Sequence, residues 1–437
     1  MLLLIGLVFM RVLLFEDEFH KFLNPLVSMR AVAELKLGFH SIFEVVSRFF
    51  NSEVIFYVRS YLVDVLRVRF SGLKINCVDG YDDVLMVNSR LIPTVKNLNL
   101  IMSFAAKNTY FMLFDGGGIV AAKIHGKLLE DILSKSDDGV VKSDKFRPLH
   151  GECSVYDVSG MLIRNLWDII VLNEDLLREG FTVHGINGEL DDRAIIYGSK
   201  SNLYIGEGSR VEGNVNIDVR SGPVYIGRNV NVLGPCRIEG PSYIGDNTVI
   251  LSGARIRSGS NIGCNCRVGG EVEASVLHGY VNMYHPSFVG HSYVCEWVNL
   301  AAFTVTSDLK NTYGNIRVRI EDSIVDSGLN KLGSFIGDHV KTSINCGIFA
   351  GKRIGIFSHL FGYVYEDVPP FTIYSKALVG KSYELKLESA LETMRRVYLR
   401  RGRHVSSEEA ELVKYLFQTS NDDRIKAGVV KGVLSII

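Results

Sequence analysis

The chain has no excess of charge, no paired-cysteine motif and no apolar run long enough to cross a bilayer, and each lack removes a class of function. Lys plus Arg and Asp plus Glu both number 48 in 437 residues, a formal net charge of zero, so no bulk field draws in a polyanion and nucleic acid is not an expected partner. The seven cysteines (Cys77, Cys153, Cys236, Cys264, Cys266, Cys295, Cys346) are odd in number and scattered, without a C-x-x-C pair. That pattern predicts reduced thiols in a cytoplasmic protein rather than a disulfide framework or a zinc cage. Cys264 and Cys266 alternate as neighbours on one face of a strand do, with no His or Cys cluster beside them, and no metal ligand set is expected there. The opening MLLLIGLVFMRVLLFEDEF is apolar as far as Phe15 but interrupted by Arg11. It is shorter than a membrane span and lacks the basic n-region and cleavage site of a signal peptide, so no membrane association is expected. MRVLLFED reads as a buried first strand. Residues 1–9 are then an extra strand segment or an upstream start, with Met10 the more natural beginning.

What is present is repetition. Ile226, Val232, Ile238, Ile244, Ile250, Ile256, Ile262 and Val268 are spaced six apart, often followed by Gly, as in YIGRNV, YIGDNT and NIGCNC. The same register occurs at Ile205, Val211 and Ile217, later at Val276, Phe288, Val294, Leu300 and Thr306 with Asn282 breaking it, and again at Ile336, Thr342, Ile348, Ile354 and Leu360. Six is even, so each aliphatic residue falls on the same face of a period-2 strand, and the adjacent Gly, Asn or Asp supports a tight turn. This predicts a left-handed parallel β-helix of hexapeptide repeats. Residues 218–223 (DVRSGP) and 309–335 leave the register and are expected as protruding loops, the longer being a candidate binding surface.

Before the repeat, strand-like runs (VIFYVRS, DVLMVNSRLIP, YFMLFD) mix with the helical SIFEVVSRFF, which predicts an α/β domain. The expected organisation is an α/β domain over 1–150, a helical connector over 151–185 centred on 164–179, the β-helix over 186–365, and a helical segment over 366–437. In that last segment the second helix is read as opened at Ser407 by an N-cap. FDGGG at 114–118 reads as a hairpin turn.

HPSFVGHSYVCEWVNLAAFTVTSDLKN (285–311), following the repeat, resembles the acetyltransferase half of the bifunctional glucosamine-1-phosphate acetyltransferase / UDP-N-acetylglucosamine pyrophosphorylase family. There, H-x-[ST]-x-x-G-[DH]-[AS] leads to V-N-x-G-A-G-T. GGEVEASVLHGY, DSGLNKLGSFIGDHVKTSINCG and LVSMRAVAELKLGFHSI are similar to a variant branch of nucleotidyltransferase-like proteins with a short N-terminal domain. The resemblance implies an acetyl-CoA-dependent N-acetyltransferase acting on an amino-sugar phosphate. An amine attacks only when deprotonated, so the reaction needs a base of pKa near 7, which histidine supplies. By the resemblance His285 is that base, its bland alternative being a solvent-exposed corner residue. Asn299 contacts the acceptor sugar, Arg257 its phosphate, and the backbone near Ala302 holds the thioester. Lys341 is either a ligand for a CoA phosphate or a solvated edge charge. The family's tyrosine, its asparagine after G-A-G-T and its sugar-binding lysine are replaced by Phe288, Asp308 and Glu273, which implies a different amino-sugar nucleotide or an inactive site. His278, His291 and His339 have no equivalent match.

Nucleotidyltransferases of the resembled kind carry a G-x-G-T-R-M-like loop whose amides cradle phosphates. Here FEDEFHKFLNPLVSMRAVAELKLG stands instead. Arg30 and Lys36 are expected to contact a nucleoside triphosphate, and Asn88 occupies the strand end where a Mg²⁺-binding aspartate is usual. UDP- or dTDP-sugars are the implied products. The alternatives are a nucleotidyltransferase using the β-helix as a trimerising scaffold, and a non-catalytic regulatory or structural subunit. The resemblance further implies a homotrimer with acetyl-CoA between neighbouring prisms.

Overall fold

The computed structural model describes residues 11–78 and 83–434. The readings of residues 1–9 and of Met10 as a start lie outside the described residues. The chain divides into two compact units. One comprises residues 11–23, Met29–Lys36 and His40–Asn165. The other comprises Asn24–Ser28, Leu37–Phe39 and everything from Leu166 onward.

Among the described residues the first unit is built on a seven-stranded sheet, in the order Lys74–Ile75, Val54–Tyr57, Arg11–Phe15, Val84–Asn88, Gly118–Ile124, Phe111–Asp115, Ser154–Val158. Val12, Leu13, Leu14 and Phe15 are all fully buried. A strand apolar on both faces belongs in the middle of a parallel set, and Arg11–Phe15 pairs in parallel with both Val54–Tyr57 and Val84–Asn88. FDGGG does form the antiparallel turn between Phe111–Asp115 and Gly118–Ile124, with Gly116 and Gly117 at φ +55 and +89, where a side chain would be strained. Helix Ile42–Phe50 starts at Ser41, whose hydroxyl accepts the Glu44 N–H while the Glu44 carboxylate takes the Ser41 N–H. The first sheet also takes in Ser154–Val158, paired in parallel with Phe111–Asp115, so this unit runs to Asn165 rather than ending at 150. SVYDV is short and partly solvated at the sheet edge, which hides it from a hydrophobicity pattern.

The second unit is a left-handed parallel β-helix. Its first face runs from Gly185–Ile186 to Arg353–Ile354 and its third from Ile195–Tyr197 to Tyr363–Val364. The second face runs from Glu189–Leu190 to Asn282–Met283 and continues through single bridges at Asn299 to Lys341–Thr342 and His359–Leu360. Ile226, Ile244 and Ile262 stack in register, one from each successive coil, as do Val232, Ile250 and Val268, all fully buried in one core. At the corner after the first face Asn229, Asn247 and Asn265 adopt φ of 54, 60 and 59, the left-handed region that asparagine tolerates.

The six-residue register breaks after Val268 and resumes at Val294, Leu300 and Thr306 and again from Ile336 to Leu360, all of them buried. The inward residues are Val272, Leu277, Met283, Val289 and Val294, while Asn282 and Phe288 face outward and Val276 is buried outside that core. The coil from Ile262 to Leu277 is shorter than the one from Ile244 to Ile262, and in a strand a slip of one position exchanges the faces. The 309–335 insertion carries an antiparallel hairpin, Arg317–Ile320 with Ser323–Asp326.

From Tyr280 upward the same corner holds aromatic rings in place of asparagine. Tyr280, Trp297, His339, Phe357 and Phe371 all lie at φ of 53 to 62. Tyr280 stacks on Trp297 at 4.1 Å, His339 on Phe357 at 4.4 Å, and Phe357 on Phe371 at 5.1 Å. Tyr398 of helix Leu387–Leu399 covers Trp297 at 4.2 Å. The Arg403 guanidinium lies 5.5, 5.8 and 5.6 Å from the rings of Tyr280, Trp297 and Tyr398. The next helix, Ser407–Thr419, is capped by Ser406 rather than Ser407, because it is the Ser406 hydroxyl that accepts the Glu409 N–H. Ile250→Ala, which empties a fully buried core position, is expected to cost about 2–5 kcal/mol in urea unfolding.

Candidate functional site

The β-helix places the sequence-selected residues at two different corners. His285 lies between strands Asn282–Met283 and Phe288–Gly290, exposed, with its ring edge against Tyr284 at 5.4 Å. One coil above, the Phe303 N–H donates to the Pro286 carbonyl at 2.8 Å, and the Ala302 carbonyl accepts the Asn345 N–H at 2.9 Å, so His285 and Ala302 share a corner. On the second face Asn282, Asn299 and Lys341 form an outward column, with the Asn282 amide donating to Asn299 Oδ1 at 2.8 Å. Lys341 is not a solvated edge charge. Although the residue is partly exposed, its ammonium is enclosed, donating to the Trp297 carbonyl at 2.5 Å, and burial pushes its pKa down to about 7.

Arg257 and Asp308 lie elsewhere, beyond the third-face strands Arg255–Ile256 and Val305–Thr306. Arg257 sits in a ladder of alternating charge, 3.3 Å from Glu271 and 3.8 Å from Glu239, so a phosphate there competes with two carboxylates. Glu273 pairs with Lys331 at 3.6 Å. Asp308 Oδ2 is 2.7 Å from His291 Nδ1. Burial works to raise the Asp308 pKa, but that hydrogen bond and the charges of His291 and Lys331 outweigh it and lower it. His291 and Asp308 stand one coil apart at this height, and that spacing is the signal the sequence reading passed over.

In the first unit the end of Arg11–Phe15 carries two buried carboxylates. Glu16 takes Arg59 Nε at 2.8 Å and Nη2 at 3.0 Å, and also accepts the Val32 N–H at 2.8 Å. Asp17 takes Arg90 Nε and the Asn88 amide at 2.8 and 2.7 Å. Asn88 is fully buried, its other bonds going to the Ile119 carbonyl and the Arg90 N–H. Arg30 is 2% exposed, and its carbonyl accepts from Arg59. Neither Arg30 nor Asn88 faces solvent where a triphosphate would approach, because both are built into this ion-pair layer. Lys36 is partly exposed, in the field of His40 and Glu44. Asp115 is likewise engaged, by Arg164 and by the N–H groups of Met161 and Leu162. Among the described residues no group of three or more His, Cys, Asp or Glu is placed to hold a metal. Among the described residues the two carboxylates at this strand end, Glu16 and Asp17, are each taken up by an arginine, so neither is free to hold a Mg²⁺ ion.

Burial works to raise the Glu16 pKa, but the charge and hydrogen bonds of Arg59 prevail and lower it. Its contribution to stability is therefore complete above the unfolded glutamate value of about 4.3 and is lost as pH falls through the lower folded value. Arg59→Ala, which strands a buried carboxylate, is expected to destabilise by about 3–5 kcal/mol near neutral pH, read by urea unfolding, with part of that loss recovered in acid as Glu16 protonates.

The family described as sugar nucleotidyl transferase matches residues 12–185. The chain is 36% identical over 91 residues to a bifunctional sugar-1-phosphate nucleotidylyltransferase/acetyltransferase of Sulfurisphaera tokodaii, covering 21% of this chain and 23% of that protein. It is 34% identical over 85 residues to the bifunctional protein GlmU of Methanocaldococcus jannaschii, covering 20% and 21%. The chain thus matches about a fifth of the length of these curated relatives. Among solved structures the UDP-N-acetylglucosamine acyltransferase of Francisella novicida aligns at 16% identity over 56% of this chain and 94% of that one, with a TM-score of 0.27. Among the described residues no helix is long and apolar enough to cross a membrane. In this chain a region that matches the family described as sugar nucleotidyl transferase, residues 12–185, is thus followed by a left-handed parallel β-helix.

Proposed function

We propose that the β-helix transfers the acetyl group of acetyl-CoA to the amine of an amino-sugar phosphate, glucosamine 1-phosphate or a near relative, in the cytoplasm. The nucleotidyl transferase-like domain fused to it belongs to the same chemistry of UDP- or dTDP-sugars. The observation that carries this reading is the likeness to relatives whose names join nucleotidylyl and acetyl transfer in one chain. His285 is the base that takes the amine proton. Asn299 orients the sugar, and Ala302 and Lys341 lie on the CoA side. Placement of His285 and Ala302 at one corner, beside the Asn299 and Lys341 column, supports that division.

The working form is a homotrimer. Phe303, Val305, Phe349, Tyr363 and Tyr365, on and beside the third face, are exposed in the single chain, an apolar surface that a second copy would cover. For the N-terminal domain a catalytically silent role is favoured by one observation, the pairing of Glu16 with Arg59 and of Asp17 with Arg90.

The test is thiol release from acetyl-CoA across a panel of amino-sugar 1-phosphates and nucleotide amino-sugars. Release that depends on the acceptor and falls by about a hundredfold or more in His285→Ala, with unchanged circular dichroism, is expected. Silence of the wild type across the panel would defeat the reading. Light scattering is expected to give a trimer, and a monomer at micromolar concentration would remove the intersubunit site.

A further inference from the structure

His291 and Asp308 form a built acid–base pair at the opposite end of strand Phe288–Gly290 from His285. Their side chains are 18% and 14% exposed, and Nδ1 and Oδ2 are 2.7 Å apart. The arrangement is fixed from several sides. The His291 N–H donates to the Glu273 carbonyl at 2.9 Å, and its own carbonyl accepts the Gly333 N–H at 2.9 Å. The Asp308 carbonyl accepts the Leu332 N–H at 2.8 Å. His291 is held at φ +45, a region non-glycine residues seldom occupy. Gly290 makes the room, since a Cβ there would stand 2.5 Å from Asp308 Oδ2. The long insertion leaves and returns at this place, its neck closed by pairing of Leu309 with Lys331.

A carboxylate on Nδ1 fixes the imidazole tautomer, leaves Nε2 as the basic atom and stabilises the cation formed when Nε2 takes a proton. Nε2 has no hydrogen-bond partner among the described residues and is not among their buried unpaired atoms, so solvent reaches it. Among the described residues no carboxylate pairs with His285. The difference bears on the acceptor. An amine sheds its proton near neutrality, whereas a hydroxyl is a far weaker acid and gains most from an imidazole backed by a carboxylate.

We propose that the His291–Asp308 pair takes the proton of a sugar-phosphate hydroxyl, so that the β-helix also forms O-acyl esters. This rests on the acyl-transfer reading above. The hydroxyl oxygen bonds to the thioester carbonyl carbon as its proton passes to His291 Nε2. The C–S bond then breaks and the proton goes on to the departing thiolate, leaving an ester and a free thiol. His291 is the catalytic residue and Asp308 the positioning one.

The experiment compares acetyl-CoA with glucose 1-phosphate, which has hydroxyls and no amine, and with glucosamine 1-phosphate. Hydroxylamine, which cleaves the ester and spares the amide, identifies the product. The expected result is a hydroxylamine-labile product from glucose 1-phosphate, with kcat reduced about a hundredfold in His291→Ala. Asp308→Asn should lower kcat by about tenfold or more with KM unchanged. Asp308→Asn is near-isosteric and carries the test should His291→Ala fail to fold. No ester from the wild type, or ester formation unchanged in both variants, overturns the inference while thiol release with glucosamine 1-phosphate leaves the acyl-transfer reading standing. No thiol release with either acceptor defeats that reading, and this inference with it.

Discussion

Every outward-facing group of the β-helix is placed by the burial of aliphatic side chains inside it. Once Ile226, Ile244 and Ile262 stack in one core, residues a coil apart must stand one above another on the surface. The Asn282, Asn299 and Lys341 column, the Tyr280 and Trp297 stack, and the His291 and Asp308 pair are all products of that stacking. No local turn or helix signal would bring any of these groups together. The interior does so because a coil that slipped by one residue would turn its apolar side chains into water, at roughly 25 cal/mol for each Å² exposed.

The same dependence explains what could be read beforehand. A repeat of six in a period-2 element names the architecture and the inward residues directly, up to Val268 and again from Val294. After Val268 a corner is shortened, and nothing in GGEVEAS marks which residue is dropped, so the repeat puts Phe288 inward where Val289 is. His285 and Asn299 could be singled out in the sequence because a continuous motif carries them. Asp308 stands out in the sequence, yet its partner does not, because pairing across coils depends on a coil length that shortens and then partly recovers within this region. In the first unit the absence of a phosphate-cradling loop was plain. What replaces it was not, since the arginines that engage Glu16 and Asp17 come from 43 and 73 residues away.

The two units resolve charge in opposite ways. In the first, carboxylates at a parallel strand end are withdrawn from solvent and each is matched by a guanidinium, which leaves a rigid and electrically closed layer. In the β-helix the core is apolar, and charge lies outside it, along the faces and corners.

The change from asparagine to aromatic rings along one corner gives the β-helix a direction. At that corner the asparagine-cornered coils are interchangeable, although the helix Leu166–Glu179 pins them elsewhere, Asn173 donating to the Gly259 carbonyl at 2.9 Å and accepting from Asn261 at 3.1 Å. Aromatic-cornered coils are not interchangeable in this way, because Trp297 must meet Tyr398 and Tyr280 must meet Arg403. A duplication there would put the helical tail out of step with its rings. The helical tail thus fixes the number of the last coils.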